Sequence, residues 1–132
     1  MNKRFIFNLL NVLTLVTVMS CQGQTGVHVL TVDAFEQKLN ATPQKIILDV
    51  RTDEEYAQGK MKNATQIDYY QSNFKAEIAK LDKTKPVFVY CAGGVRSNAA
   101  AKILIQQGFT EVYDLKGGLS AWTNSGKPIV KQ

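Results

Sequence analysis

Histidine and cysteine are scarce in this chain. Among its 132 residues there is a single histidine, His28, and there are two cysteines, Cys21 and Cys91. A protein metal site usually needs three or four histidine, cysteine or carboxylate ligands, and His28 has no second ligand near it in the sequence. We therefore expect no metal site, and two cysteines allow one disulfide at most.

The sequence also lacks a concentrated basic region, an internal repeat and a low-complexity tract. The formal net charge is +5, with 16 Lys and Arg against 11 Asp and Glu, but the lysines are scattered and no basic stripe alternates with aromatic residues. Nucleic acid is therefore not an expected partner. A mildly basic surface is compatible with small anionic substrates. The length and the 45% of hydrophobic residues predict one globular domain.

The first 21 residues have the pattern of a targeting segment. Lys3 and Arg4 form a short positive region, residues 5–19 are largely apolar, and Ser20 precedes Cys21. Asparagines interrupt the apolar stretch, which is too short for a membrane span but suits the core of a signal peptide. The order resembles a bacterial lipoprotein signal. We expect a signal peptide over residues 1–20, a tether over 21–27 and a folded domain over 28–130.

Acylation of Cys21 would determine where the protein resides and the state of its other cysteine. More than one acyl chain anchors a protein stably, so we expect attachment to a bacterial membrane of the cell envelope, facing the periplasm or the exterior. Cys91 would then be an unpaired thiol outside the cytosol, either reactive or buried. The alternatives are a Cys21–Cys91 disulfide, an uncleaved N-terminal anchor and a plain secretory signal.

Apolar strand patterns alternate with helical patterns along the mature chain. Strands are predicted over residues 28–30, 45–50, 64–67, 86–90 and 111–115. Helices are predicted from Thr31 or Asp33 to about 39, from Thr52 or Asp53 to 58, and over 74–81, 97–107 and about 118–122. Continuously apolar strands are typical of parallel sheets buried on both faces. The predicted class is α/β, with a mostly parallel central sheet flanked by helices on both faces.

The most informative stretch follows the strand over residues 86–90. It reads Cys91-Ala92-Gly93-Gly94-Val95-Arg96-Ser97 and leads into a predicted helix. A thiol there faces the free N–H groups and the positive end of the helix, which favour its ionised form, the thiolate. We therefore expect a reactive cysteine rather than a merely buried core cysteine. The two glycines let the loop curl so that the N–H groups of residues 92–96 form a cradle for an anion. Arg96 adds a fixed positive charge at the mouth of this cradle.

Two further segments are expected beside this loop. Ligands of parallel sheets bind at the carboxyl ends of the strands, where Asp49 and Arg51 follow one buried strand and residues 116–118 follow the last. Asp49 and Arg51 either form a structural ion pair that supports the loop from beneath or act directly. Ser97, at the predicted helix start, is a further supporting residue.

Four landmarks, in order, resemble the single-domain rhodanese family of sulfurtransferases over residues 29–129. Residues 48–56, Leu-Asp-Val-Arg-Thr-Asp-Glu-Glu-Tyr, resemble its first signature, and residues 91–97 its C-x-x-G-x-R-S active-site loop. Residues 100–108 resemble the helix that follows, and Gly117-Gly118 with Trp122 resembles its G-G-x-x-x-W element. The sequence departs from the family at residues 59–61, where Gly-Lys-Met replaces Gly-His-Ile, and at residues 63–64, where Asn-Ala replaces Gly-Ala.

The resemblance implies transfer of a sulfane sulfur. The Cys91 thiolate would attack thiosulfate or a thiol persulfide, become a persulfide, and pass its outer sulfur to cyanide, a thiol or a protein acceptor. Backbone N–H groups of the loop would stabilise the anionic sulfur, and Arg96 would orient an anionic donor or hold the loop. Neither a metal nor an organic cofactor is implied.

Two other functions compete with this interpretation. The related cell-cycle phosphatases share the fold and place five residues between cysteine and arginine, whereas four residues, 92–95, separate Cys91 from Arg96 here. The smaller cradle suits a sulfur atom better than a tetrahedral phosphate. Alternatively, the domain is a membrane-tethered module for sulfur relay or binding that acts with a protein partner.

Overall fold

The computed structural model describes residues 26–131, in which five strands alternate with five helices. The elements are β1 (Gly26–Leu30), α1 (Val32–Asn40), β2 (Ile46–Asp49), α2 (Asp53–Ala57), β3 (Thr65–Gln66), α3 (Phe74–Ile78), β4 (Val87–Tyr90), α4 (Val95–Gln106), β5 (Glu111–Leu115) and α5 (Gly118–Asn124). The strands all run parallel, in the order β1-β5-β4-β2-β3. This arrangement confirms the predicted α/β class.

Strand β4 lies at the centre of the sheet and is buried along its whole length. Its side chains alternate between the two faces, as strand geometry requires. Val87 and Val89 join the core cluster under α3 and α4, whereas Phe88 and Tyr90 join the cluster under α1 and α5. Helices therefore cover both faces, as predicted, and the carboxyl end of β4 delivers Cys91 between them.

Helix α4 begins two residues before the predicted start. Gly94 precedes it with a φ of +103°, a left-handed conformation that costs glycine little. The turn at Gly94 aligns Val95 and Arg96 with the helix, so these residues form its first turn instead of the preceding loop. The N–H groups of a first helical turn have no partner within the helix, so those of Val95 and Arg96 can still belong to the predicted cradle.

Helix α3 ends earlier than predicted, at Ile78 rather than at residue 81. Beyond it the N–H of Lys80 bonds to Glu77 O and that of Leu81 bonds to Ile78 O, both spanning three residues. The chain therefore leaves the α-helix through tighter turns before it enters β4.

The departures from the family pattern lie in the segment between α2 and β3. Asn63 has a φ of +64° and occupies the position where the family usually has glycine. Asparagine is among the few other residues that adopt this conformation readily, so the backbone turn is kept. Met61 is buried, and its N–H donates to the hydroxyl of Tyr90 over 3.1 Å.

Helix α5 begins in close contact with the cysteine loop. The N–H of Leu119 donates to Cys91 O over 2.8 Å, and that of Ser120 donates to Ala92 O over 3.0 Å. Gly118 has a φ of +61°, and a Cβ atom there would lie 2.6 Å from the carbonyl oxygens of both Cys91 and Ala92. Only glycine permits this approach.

The predicted signal peptide, most of the tether and Cys21 lie outside the described residues. Within residues 26–131, none of the helices has the length and apolarity needed to cross a membrane.

Gly118→Ala is expected to lower the free energy of unfolding by about 3 kcal/mol, the sum of a left-handed alanine and a contact with backbone that cannot move aside. Urea denaturation measures this change. Gly126→Ala is the matched control, because Gly126 has a φ of +74° but its added Cβ would meet no atom within 4 Å. It should cost about 1 kcal/mol. Equal losses in the two variants would contradict a steric role for Gly118.

Candidate active site

The loops after β2, β4 and β5 meet at the carboxyl edge of the sheet, as predicted. The register places Asp49 beside Tyr90, and the N–H of Val50 continues the pairing to Tyr90 O over 3.1 Å. The loop after β5 leads directly into α5, whose first turn binds the carbonyls of Cys91 and Ala92. Residues far apart in the sequence therefore converge around Cys91.

The sulfur of Cys91 lies inside its own loop. The residue is 1% exposed, and its Sγ accepts a hydrogen bond from the N–H of Gly94 over 3.1 Å. The hydroxyl oxygen of Ser97 lies 3.4 Å from Sγ, and this hydroxyl donates to Gly94 O over 3.3 Å. The thiol can thus donate to Ser97, and after ionisation the Ser97 hydroxyl can rotate and donate to the sulfur.

These contacts decide the acidity of the thiol. Burial alone would raise the pKa of Cys91, because it disfavours the charged form. Hydrogen bonds from the side chain and backbone of Ser97 and from the N–H groups of Gly94 and Gly93 outweigh burial, and the pKa is lowered. The loop therefore favours the thiolate, the nucleophilic form of cysteine.

Two of the other loop residues pack against neighbouring backbone, and two lie at the open side of the site. The carbonyl of Ala92 is held by α5, whereas a Cβ on Gly93 would meet nothing within 4 Å. Gly94 lies against the next loop, since a Cβ there would be 3.3 Å from the N of Gly117. Val95 is 84% exposed, so it forms the rim of the site rather than its interior.

Arg96 is held by a carboxylate that the sequence did not single out. Its Nη1 donates to Oε2 of Glu55 and its Nη2 to Oε1 of Glu55, both over 2.8 Å. Glu55 also completes the capping box of α2, accepting from the N–H of Thr52 over 3.0 Å while its own N–H donates to the Thr52 hydroxyl. One carboxylate therefore joins the start of α2 to the start of α4.

The ion pair shifts the pKa of both partners. The hydrogen bond from Arg96 is the main reason that the pKa of Glu55 is lowered to about 2; burial opposes this effect and hydrogen bonds from Thr52 add to it. The hydrogen bond to Glu55 likewise raises the pKa of Arg96. The ring of Tyr70 lies 5.3 Å from the guanidinium carbon, within range of a cation–π contact.

Asp49 and Arg51 form a buried ion pair. Nη2 of Arg51 lies 2.6 Å from Oδ2 of Asp49 and donates to Gly59 O over 2.7 Å. The side chains are 0% and 6% exposed, respectively. These bonds hold the turn after α2 and not the cysteine loop, which favours the structural alternative for this pair over a direct role.

A second buried carboxylate lies beneath the first turn of α4. Asp114 on β5 is 2% exposed and accepts a hydrogen bond from Nδ2 of Asn98 over 3.3 Å. Burial raises the pKa of Asp114, while hydrogen bonds from Ser97 and Asn98 act in the opposite direction. Asp114 therefore lies next to the start of α4, in the wall of the site.

Sequence reasoning missed the roles of Glu55, Tyr70 and Asp114. The Thr-x-x-Glu spacing of residues 52–55 signals a capping box, which places the Glu55 carboxylate at the start of α2. Its pairing with Arg96, 41 residues away, has no local signal. Asp114 lies within a buried strand, and a charged residue at such a position is a sign of an unusual environment. Across residues 26–131, no three His, Cys, Asp or Glu side chains are grouped so as to hold a metal ion.

Comparison with known proteins assigns the fold and the loop to one family. The family model described as the Rhodanese-like domain matches residues 31–125. A sulfurtransferase of Allochromatium vinosum is 35% identical over 98 residues, which span 74% of this chain and 90% of that protein. The thiosulfate sulfurtransferase GlpE of Coxiella burnetii is 40% identical over 77 residues, 58% of this chain and 70% of that protein.

A solved structure agrees with these sequence matches. The crystal structure of a rhodanese-related protein from Thermoplasma volcanium superimposes with a TM-score of 0.70 at 28% identity, covering 80% of this chain and 99% of that one. The family model spans more than half of the chain, and the Allochromatium protein is matched over nearly its whole length. The chain therefore belongs to the rhodanese family and is a sulfurtransferase of the rhodanese type.

Proposed function

We propose that this protein transfers a sulfane sulfur from thiosulfate or a thiol persulfide to a thiophilic acceptor, through a persulfide on Cys91. The observation that carries the proposal is the position of Sγ, 3.1 Å from the N–H of Gly94 and 3.4 Å from the Ser97 hydroxyl, in a loop that lowers its pKa. The acceptor is cyanide, a thiol or a partner protein. The residues that act are Cys91, Gly94 and Ser97, with Arg96 at the mouth.

In the first half-reaction, the Cys91 thiolate attacks the outer sulfur of the donor. A bond forms between Sγ and that sulfur, and the sulfur–sulfur bond of the donor breaks. Its electron pair leaves with sulfite from thiosulfate or with a thiolate from a persulfide. In the second half-reaction the acceptor attacks the outer sulfur of the persulfide, and cyanide leaves as thiocyanate while the Cys91 thiolate is regenerated.

The loop favours this chemistry over phosphate chemistry. Hydrogen-bond donors on Gly94 and Ser97 lie next to Sγ and stabilise negative charge on sulfur. They act on the thiolate before the transfer and on the outer sulfur of the persulfide, one atom further out, after it. With four residues between cysteine and arginine, the cradle is small, and its cysteine is 1% exposed. A single sulfur atom fits such a site more readily than a phosphate group.

We place this activity at the cell envelope, on a lipid attached to Cys21. The support is the order of charged, apolar and small residues before Cys21. A tether of a few residues would leave the domain free to meet a soluble donor or a protein acceptor near the membrane surface.

The Cys91 thiol is expected to ionise below its ordinary pKa of about 9, and Ser97→Ala is expected to raise that pKa because it removes a donor that favours the thiolate. Below the pKa the thiol is protonated, so the variant should need a higher pH to form thiolate. Ultraviolet titration of the thiolate in residues 22–132, where Cys91 is the only cysteine, measures both values. Cys91→Ser supplies the blank and Ser120→Ala, whose side chain is exposed, the control. A pKa unchanged by Ser97→Ala would contradict the assigned role of Ser97.

Incubation with thiosulfate is expected to add one sulfur atom to Cys91, and cyanide is expected to remove it. Intact-mass measurement of residues 22–132 before and after cyanide tests both steps. Cys91→Ser should form no adduct and produce no thiocyanate, while circular dichroism shows an unchanged fold.

Other outcomes of that experiment would redirect the assignment. Activity retained in Cys91→Ser would contradict the mechanism. A folded wild-type chain with a free Cys91 and no adduct would favour the protein-specific relay. Hydrolysis of an aryl phosphate that is lost in Cys91→Ser would favour the phosphatase alternative.

Cys21→Ala is expected to move the protein from the membrane fraction to the soluble fraction of the cell, because the site of acylation is lost. Fractionation followed by immunoblotting measures the distribution. Cys91→Ser is the control and should remain with the membrane. Unchanged fractionation of Cys21→Ala would contradict lipid anchoring.

A further inference from the structure

The arginine at the mouth of the cradle does not present a free charge. Both terminal nitrogens of Arg96 donate to Glu55, and the side chains of the pair are 15% and 33% exposed. The hydrogen bonds hold the pKa of Glu55 at about 2, so this carboxylate is ionised throughout the neutral range. The guanidinium and carboxylate charges therefore compensate each other at neutral pH.

Tyr70 further limits what the guanidinium can bind. Its ring lies 5.3 Å from the Arg96 guanidinium carbon, so the planar group has a carboxylate at its edge and an aromatic ring over its face. Tyr70 is 68% exposed and Val95 is 84% exposed. The outer surface beside the cradle is therefore formed by an aromatic ring, an isopropyl group and a compensated ion pair.

We propose that Glu55 is a positioning residue that sets donor selectivity, by cancelling the charge of Arg96 so that the site disfavours a dianionic donor relative to a less charged one. This inference rests on the proposed function and concerns its donor. The attraction between the Arg96 guanidinium and an anionic donor falls when the Glu55 carboxylate lies within hydrogen-bond distance of the guanidinium, because the carboxylate repels the donor. Cancelling the charge of Arg96 therefore costs thiosulfate, a dianion, the most attraction and costs less charged organic sulfur donors the least.

Two probes separate donor charge from transferable sulfur. Thiosulfate carries two negative charges and methanethiosulfonate carries one, and each offers one sulfane sulfur. The Cys91 thiolate forms a bond to that sulfur, the donor's sulfur–sulfur bond breaks, and sulfite or methanesulfinate leaves with the electron pair. The reacting atoms are the same, so the ratio of the two kcat/KM values reports how the site treats the extra charge.

Glu55→Gln removes the compensating charge with little change of shape. Glutamine also serves at this position of a capping box, so the start of α2 keeps its hydrogen bond to Thr52. The thiosulfate to methanethiosulfonate ratio should rise about tenfold, because one additional unit of donor charge meets one uncompensated guanidinium charge. The change should come through a lower KM for thiosulfate, with thiocyanate formation by the full-length chain as the assay.

Two further variants distinguish selectivity from folding. Glu54→Gln removes the neighbouring exposed carboxylate, and its ratio should stay within about twofold of the wild type because exposed charges are screened. The double variant Glu55→Gln with Arg96→Gln restores a mouth without net charge, so its ratio should return to the wild-type value even if its overall rate falls. A purely structural role for Glu55 would not raise the ratio and then restore it.

Different results would contradict the selectivity role of Glu55 and the proposed function. A ratio in Glu55→Gln within about twofold of the wild type, with the Cys91 adduct still formed by the wild-type chain, would overturn the selectivity role alone. No adduct on wild-type Cys91 from either donor would overturn the proposed function and this inference with it.

Discussion

The site depends above all on the contact between the start of α5 and the backbone of the cysteine loop. The N–H groups of Leu119 and Ser120 bind the carbonyls of Cys91 and Ala92, and Gly118 is the residue that lets the two backbones approach. Once these carbonyls have partners on α5, the loop can turn its opposite side, which carries the N–H groups, toward the sulfur. The acidity of Cys91 thus originates in a packing contact with the far end of the chain.

A second connection runs from α2 to α4 through the Glu55 carboxylate. This carboxylate satisfies the backbone of Thr52 at the start of one helix and the guanidinium of Arg96 at the start of another. Because both helices follow neighbouring strands of the parallel sheet, the two helix starts lie on the same edge. The loop around Cys91 is thereby braced on one side by α5 and on the other by α2.

The fold could be predicted from the sequence because its strands are continuously apolar and its turns contain glycine. β5 has the predicted bounds, and β2 and β4 lie within a residue or two of theirs. The predicted start of α4 was wrong by two residues, because the sequence pattern did not show that Gly94 takes a left-handed conformation and turns the chain directly into the helix. The thiol and the arginine could be located from the motif, but the partner of Arg96 could not, because 41 residues separate it from Glu55 and only the folded sheet brings them together.

The same separation shows why a loop motif does not determine the charge of an active site. The arginine of the C-x-x-G-x-R-S motif indicates a cation at the mouth of the cradle. In the folded chain, however, the charge of Arg96 is compensated by the carboxylate of Glu55, which belongs to the signature at residues 48–56. Stabilisation of the sulfur anion then falls to short-range donors, the Gly94 N–H and the Ser97 hydroxyl, which act over about 3 Å and lose strength steeply with distance. Such donors favour an anion that has already entered the cradle and contribute little to attracting one from solution. On the proposed function, chemistry at sulfur and selection among donors are therefore carried by different residues.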